Sequence, residues 1–468
     1  MKKLLVLGVA LASIAITSCK KKNDSTSIST PPFQHGQIVT GDTLPATIKG
    51  TLAAGKTYYM TQTVTVNATD TLVIQPGCSI NVIATPTAPP SFTIKGTLLS
   101  LGTQASPIWI TVPSISKENS PSENFSNDPA FNSPNLWLGI NADTTCNLMV
   151  IKWTHIEYTG AGVGTSLPVS GLSSNSPSYA IFYQNANLKG QFILEDSWIY
   201  GTYDDAIRVQ GGNANIMRNT FEKCGSNDGD VINLKGGTLA NIAYNLVVGG
   251  ATNGIKISNV NQPVGTPETN VMAYNNTLVN CGYRQSTLTG KGGSINYEKG
   301  AEGQVWNNLL IDCKVGLRMN NGSSVPDTAN MKYGYTYNYV DEDSTADQIY
   351  PFSYFTKPEP TDIPAPSTFL PAGYTLGATY DAPAIVGKNN PNFVNYPLPN
   401  LSFAQTDYVG SYNFRLAGGS PAIGKGASSF TNPHPPTITI SDNFGSSGIT
   451  PIGVDFGAFQ SNGTGNQH

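Results

Sequence analysis

One motif recurs through the middle of this chain without a fixed period. Asn219-Thr220-Phe221-Glu222-Lys223-Cys224 is matched by Asn276-Thr277-Leu278-Val279-Asn280-Cys281 and by Asn308-Leu309-Leu310-Ile311-Asp312-Cys313, with weaker copies starting at Asn245, Asp196 and Thr154. A second series interleaves with the first: Ala180-Ile181-Phe182-Tyr183, Ala206-Ile207-Arg208-Val209, Val231-Ile232-Asn233-Leu234, Gly254-Ile255-Lys256-Ile257, Ser294-Ile295-Asn296-Tyr297 and Gly316-Leu317-Arg318-Met319. Its Ile/Leu positions advance by 26, 25, 23, 40 and 22 residues. Two strand series that advance together by one short step, with an occasional insertion, describe a solenoid of short strands. A single turn cannot bury its own apolar face, so it stacks on the turn before it and pairs backbone groups in parallel ladders. Period-2 alternation then turns Ile207 and Val209 inward and Arg208 and Gln210 outward.

Composition agrees with an all-β solenoid. Charged residues make up 12% of 468, about half the usual roughly 25%, which excludes a coiled coil or a long helical array. Disorder is excluded by an apolar fraction of 39% with 22 Tyr, 17 Phe and 5 Trp. The 48 Gly and 32 Pro supply turns. A propeller would need four strands in each unit of roughly 40–45 residues, and an immunoglobulin sandwich would not repeat side-chain identities.

Leu72-Val73-Ile74-Gln75-Pro76-Gly77-Cys78, with Thr93-Ile94-Lys95-Gly96-Thr97-Leu98 and Pro107-Ile108-Trp109-Ile110-Thr111, resembles the opening coils of right-handed parallel β-helix (pectin-lyase-like) proteins. Asp205-Ala206-Ile207 and Asn253-Gly254-Ile255 resemble their repeated strands. Gly419-Ser420-Pro421-Ala422-Ile423-Gly424 and Asp455-Phe456-Gly457-Ala458-Phe459 resemble the closing segments of surface lipoproteins of Bacteroidota. The resemblance implies a right-handed parallel β-helix over 46–349 and a loop-rich, Pro-containing segment over 350–468 that caps the open end. It implies no single activity, because this fold serves lyases, hydrolases, epimerases, adhesins and inert surface proteins.

Lys2 and Lys3 precede an uncharged apolar run, Leu4 to Ile16, too short to span a bilayer. It ends in Ile16-Thr17-Ser18-Cys19, which resembles a bacterial lipobox. Residues 1–18 therefore read as a signal peptide, Cys19 as the lipidated residue, and 19–45 as a flexible tether. The resemblance implies an outer-membrane lipoprotein displayed at the cell surface. Lys20, Lys21 and Lys22 depart from the acidic residues usual after the Cys in surface-bound members, which makes display on the periplasmic face the alternative. With Lys2, Lys3, Lys20, Lys21, Lys22 and Asp24 set aside, the body holds 21 basic and 29 acidic residues, a net charge of −8 that excludes general nucleic-acid binding.

Stacking aligns equivalent residues about 4.8 Å apart, so columns carry the chemistry. Thr154, Asp196, Asn219, Asn245, Asn276 and Asn308 form a turn column in which stacked amides bond along the ladder. Cys224, Cys281 and Cys313 read as buried small hydrophobes, with a Cys281–Cys313 disulfide as an option. The outward column Phe182, Arg208, Asn233, Lys256, Asn296, Arg318 gathers cations on an acidic body. Gln184, Gln210, Lys235, Ser258, Glu298 and Asn320 run beside it. Arg forks for carboxylates or sulfates beside an exposed aromatic ring suit an extended, acidic glycan. A solvated sheet face is the bland alternative for the same residues.

The chemistry-bearing cluster is Asp205, Asp230, Arg208 and Lys235, with Tyr203, Asp204 and Asp228 close by in sequence. In β-helix lyases a Lys or Arg removes the proton α to a uronate carboxylate, often beside a Ca²⁺ held by carboxylates. Hydrolases of the polygalacturonase type need paired carboxylates, but their Asn-Thr-Asp and Gly-His-Gly motifs are absent from this chain. The expectation is a glycan-binding protein without catalysis. A polysaccharide lyase or glycoside hydrolase is the first alternative, and a structural or adhesive component with a protein partner is the second. No cofactor is expected, except Ca²⁺ in the lyase case.

Overall fold

The computed structural model describes residues 32–116, 136–185, 187–226, 228–282, 292–314, 316–319, 326–327, 329–334, 336–339, 374–375, 390–396, 398, 412–430 and 450–468. The leader, Cys19 and Asn320 lie outside these residues.

Short strands wind into three parallel sheets of 11, 10 and 9 strands, a right-handed parallel β-helix. Each full coil gives one strand to each sheet. Gln191–Glu195 lies in the 11-stranded sheet, Trp198–Thr202 in the 10-stranded sheet and Ile207–Gln210 in the 9-stranded sheet. The Ile series falls in one register: Ile181 pairs with Ile207, Ile207 with Ile232, Ile232 with Ile255, Ile255 with Ile295 and Ile295 with Leu317. These side chains join one apolar cluster that runs from Leu44 to Met331 through the inside of the coils. Each fully buried Ile or Leu contributes about 1.5–3 kcal/mol. Within the 40-residue step from Ile255 to Ile295, residues 259–269 form an excursion before the strand Asn270–Tyr274, and residues 283–291 lie outside the described residues.

The turn between the 11- and 10-stranded sheets is held by an amide ladder. The Oδ1 atoms of Asn219, Asn245, Asn276 and Asn308 accept the backbone N–H of Ser197, Asn219, Asn245 and Asn276 respectively, each at 3.0 Å. Their Nδ2 atoms donate to Leu194, Ile216, Ile242 and Ala273 carbonyls at 2.9–3.0 Å. Asp196 is not a member: Trp198 pairs with His155 and with Thr220, so Ser197 occupies the ladder position. Asp196 instead belongs to the preceding column of left-handed residues, with Trp153, Arg218, Tyr244, Asn275 and Asn307, all at φ between 47° and 58°. The ladder asparagines themselves are not left-handed.

Ordered packing begins earlier than residue 46. Ile38 bridges to Thr51, Thr43 to Tyr59 and Thr47 to Thr65, so part of the expected tether lies on the first coil. The described C-terminal segments also differ from an end cap, since they run back along the flank. Asn307 Nδ2 donates to Ala427 O at 2.8 Å, Asn275 Nδ2 to Asp455 O at 2.7 Å, and Asn466 Nδ2 to Asn219 O at 3.0 Å. Phe456, Ala458 and Phe459 cover Leu246, Val279 and Leu309 on the outside of the 10-stranded sheet. Cys78, Cys146, Cys224, Cys281 and Cys313 are all buried free thiols, so Cys281 and Cys313 are not joined in a disulfide.

Candidate functional site

The outward column expected from the sequence is a true ladder. Phe182, Arg208, Asn233, Lys256, Asn296 and Arg318 pair in that order across six consecutive strands of the 9-stranded sheet. Phe182, however, is not an exposed ring for stacking on a sugar. It is 0% exposed and packs with Leu138, Val163, Val169, Leu172 and Tyr179, because the 160–180 excursion folds over it. Asn233, Asn296 and Arg318 are also buried. The column reaches solvent chiefly through Arg208 and Lys256, whose side chains are 20% and 25% exposed, with half-buried Lys235 beside them.

A second column, two residues before each Ile, stands against these cations: Tyr179, Asp205, Asp230, Asn253 and Gly293. Asp205 Oδ2 accepts Arg208 Nε at 2.7 Å and Asn233 Nδ2 at 2.9 Å, and its Oδ1 accepts the backbone N–H of Asp230 at 2.7 Å. Arg208 also lies over the Tyr179 ring, 3.9 Å from its centroid, and donates to the phenol oxygen. Asp230 accepts Asn253 Nδ2 at 2.6 Å and Asn233 Nδ2 at 3.0 Å. Lys256 Nζ sits 3.5 Å from Asp230 and 3.6 Å from Glu298, which hold its pKa up. The expected quartet Asp205, Asp230, Arg208 and Lys235 is thus gathered in one neighbourhood. The two carboxylates already accept several hydrogen bonds each, an arrangement that fixes cations in place.

Lys235 differs from its neighbours. Among the described residues its ammonium has neither a hydrogen bond nor a carboxylate within ion-pair distance. Burial, reinforced by Arg208, brings its pKa down to about 8. Asp204 moves the other way: burial and the adjacent Asp205 raise its carboxyl to about 8. Asn233 Oδ1 and Asn253 Oδ1 are buried and, among the described residues, accept no hydrogen bond.

Sequence reasoning missed Tyr179, Asn253 and Glu298 as partners of this cluster. Asn253 was legible, because Asn253-Gly254-Ile255 repeats the spacing of Asp205-Ala206-Ile207. Tyr179 carried no such signal. A column on another sheet was also missed: Trp109, His155 and Trp198 pair in register, with Trp109 and His155 stacked at 3.7 Å. Among the described residues the group of three metal-capable side chains lies elsewhere, at Glu268, Glu302 and Asp327, and does not include Asp205 or Asp230.

No protein-family model, curated protein or solved structure matches this chain.

Proposed function

We propose that this protein is a lipid-anchored, extracytoplasmic β-helix that binds an acidic polysaccharide across the Arg208, Lys235 and Lys256 face. Lys235 carries the reading. Arg208 is neutralised by Asp205, and Lys256 by Asp230 and Glu298, whereas Lys235 is half-buried and, among the described residues, has no carboxylate within ion-pair distance. A ligand carboxylate or sulfate supplies that charge. Isothermal titration with polygalacturonate and with a neutral glucan tests this. The acidic chain binds and the neutral one does not, and K235Q weakens binding about tenfold. Equal binding of both chains, or an unchanged K235Q, removes the reading.

A second reading, a polysaccharide lyase, is favoured by the pair of groups near pH 8. Neutral Lys235 would take the proton from the carbon next to a uronate carboxylate, and that electron pair would form the C=C bond. The glycosidic C–O bond would break with its pair on the leaving oxygen, and protonated Asp204 would supply that oxygen's proton. Ultraviolet absorbance of an unsaturated uronate on incubation, lost in K235Q, distinguishes turnover from binding.

The lipobox-like Ile16-Thr17-Ser18-Cys19 supports attachment through Cys19 to the outer membrane of a Bacteroidota-type cell, on the outward face. Full-length protein partitions with membranes and C19S does not, and protease added to whole cells tells surface from periplasmic display.

A further inference from the structure

The outside of the 10-stranded sheet changes character along its length. Over the later strands Phe456, Ala458 and Phe459 cover it, and His468 packs against Trp153 and Trp198. At the other end large apolar side chains stand exposed. The first three strands, Thr57–Met60, Ser79–Val82 and Ile108–Thr111, alternate strictly, with Thr57, Tyr59, Ser79, Asn81, Trp109 and Thr111 turned outward. There is no Asp, Glu, Lys, Arg or His among the six. Tyr59 is 41% exposed and pairs with Asn81, and Trp109 is 38% exposed and pairs with Ser79. Ile83, 43% exposed, continues the alternation two residues after Asn81, its N–H donating to Met60 O at 2.9 Å. The three exposed side chains therefore share one face across adjacent strands. Trp109 is fixed in orientation, because one face of its ring stacks on His155 at 3.7 Å with 8° between the planes.

The chain arriving from Cys19 enters directly beside this patch. Asp42 O accepts Tyr59 N at 2.7 Å, and Leu44 N donates to Tyr59 O at 2.9 Å. Phe33 and Ile38 of the same entering segment are exposed as well. The fourteen steps from Cys19 to Phe33 span at most about 50 Å. That is no more than the length of the 11-stranded sheet, whose ten steps of roughly 4.8 Å carry the other end of the solenoid away. A lipid on Cys19 thus tethers the first coils to a bilayer surface. Trp and Tyr, with an apolar body and a polar tip, favour the headgroup level of a membrane. The nearby Lys56 is matched by Asp42 at 3.0 Å, so the patch meets zwitterionic lipid without an unpaired charge there.

We infer that the outer face of these first three strands is a lipid-docking surface, with Tyr59, Ile83 and Trp109 seated among the headgroups. The inference rests on the reading of Cys19 as the lipidated residue. Docking through the 10-stranded sheet leaves the Arg208, Lys235 and Lys256 face, on the 9-stranded sheet, open to a polysaccharide.

Fluorescence of the full lipidated chain in vesicles of brominated phosphatidylcholine tests the inference, since bromine quenches an indole only on contact. The parent is quenched, and W109F loses that quenching while partitioning with vesicles as the parent does. I83E, a change at an exposed position, cuts the quenching at least threefold and leaves thermal unfolding unaltered. Vesicle-bound protein without quenching, or equal quenching in the parent and W109F, overturns the docking surface and leaves the anchor standing. A parent that does not partition at all removes the Cys19 reading, and the docking surface with it. A concentration-dependent dimer of C19S in sedimentation, dispersed by I83E, gives the patch to a second copy of the chain and also overturns the inference.

Discussion

Asp205 and Arg208 stand three residues apart, and a single oxygen of the carboxylate, Oδ2, lies 2.7 Å from both Nε and Nη2 of the guanidinium. The second oxygen holds the backbone of the next coil through Asp230. One side chain therefore orients the outward cation and splices two turns of the solenoid.

Asp205→Asn keeps an acceptor for the Asp230 amide but removes the charge facing Arg208. Leaving a partly buried guanidinium unmatched costs about 2–4 kcal/mol, near the lower end of the usual range because a fifth of Arg208 reaches solvent. Urea denaturation reads this as a lower midpoint. The double variant D205N/R208Q loses less than the sum of the two single variants, since the pair acts as a unit.

The pH behaviour of the site has two limbs of opposite sign. Asp204 keeps its proton to about 8 in the folded chain, against 3.8 when unfolded, so stability falls as pH rises between those values. Lys235 releases its proton at about 8 when folded, against 10.5 when unfolded, so stability rises with pH between those values. D204N flattens the first limb and K235Q the second, each followed by thermal unfolding across pH 4–10.5. Affinity for an acidic glycan falls on crossing pH 8 from below, because both groups become more negative there. The step shrinks in K235R and again in D204N.

Asn245 lies inside the amide ladder, where its Nδ2 holds Ile216 O at 2.9 Å and its Oδ1 holds Asn219 N at 3.0 Å. Asn245→Ala leaves two buried backbone groups short of a partner and costs about 2–4 kcal/mol. Aspartate is no rescue, as it lacks the donor and adds a buried charge. Both variants shift denaturation midpoints, and hydrogen exchange quickens first at the turns around residues 219 and 276.

Asn275 grips the C-terminal segment with three hydrogen bonds, to Gly453 O, Asp455 O and Gly453 N, at 3.1, 2.7 and 3.0 Å. Asn275→Ala loosens residues 450–468 more than the solenoid. Hydrogen exchange in that segment rises while the strand Asn270–Tyr274 stays protected. Equal loosening of both would mean that the segment and coils open together.

The coil architecture was legible because stacking forces like side chains into like positions. Ile207, Ile232 and Ile255 announce their register by identity alone. Asp196 departs from the expected column for a local reason: at that coil a serine fills the ladder position, and the neighbouring aspartate imitates an asparagine one residue early. The burial of Phe182 was not legible because alternation reports which way a residue points, not what folds over it, and the 160–180 excursion has no repeat to betray its course. The ion-pairing of Arg208 and Lys256 required knowing that Asp205 and Asp230 stand two residues ahead of Ile207 and Ile232, with Asp205 facing the cation of its own coil and Asp230 that of the next. That spacing was present in the chain, though the carboxylates read as turn formers as readily as partners. The flank-binding C-terminal segment was invisible, since contacts between Asn466 and Asn219 leave no periodic trace.

A stack of repeats ordinarily holds together link by link, each coil answering only to its neighbours. Residues 450–468 change that order of dependence, because a strap fastened at Asn307, Asn275, Tyr244 and Asn219 spans four coils at once. Its apolar contacts leave Leu246, Val279 and Leu309 bare until it arrives. The nascent solenoid must therefore emerge with an uncovered greasy stripe along one side and stay sticky until residues 450–468 have been made. Loops closed across 247 residues are slow to form, so the time spent in that state, more than the stability of any one coil, sets the hazard of self-association during synthesis.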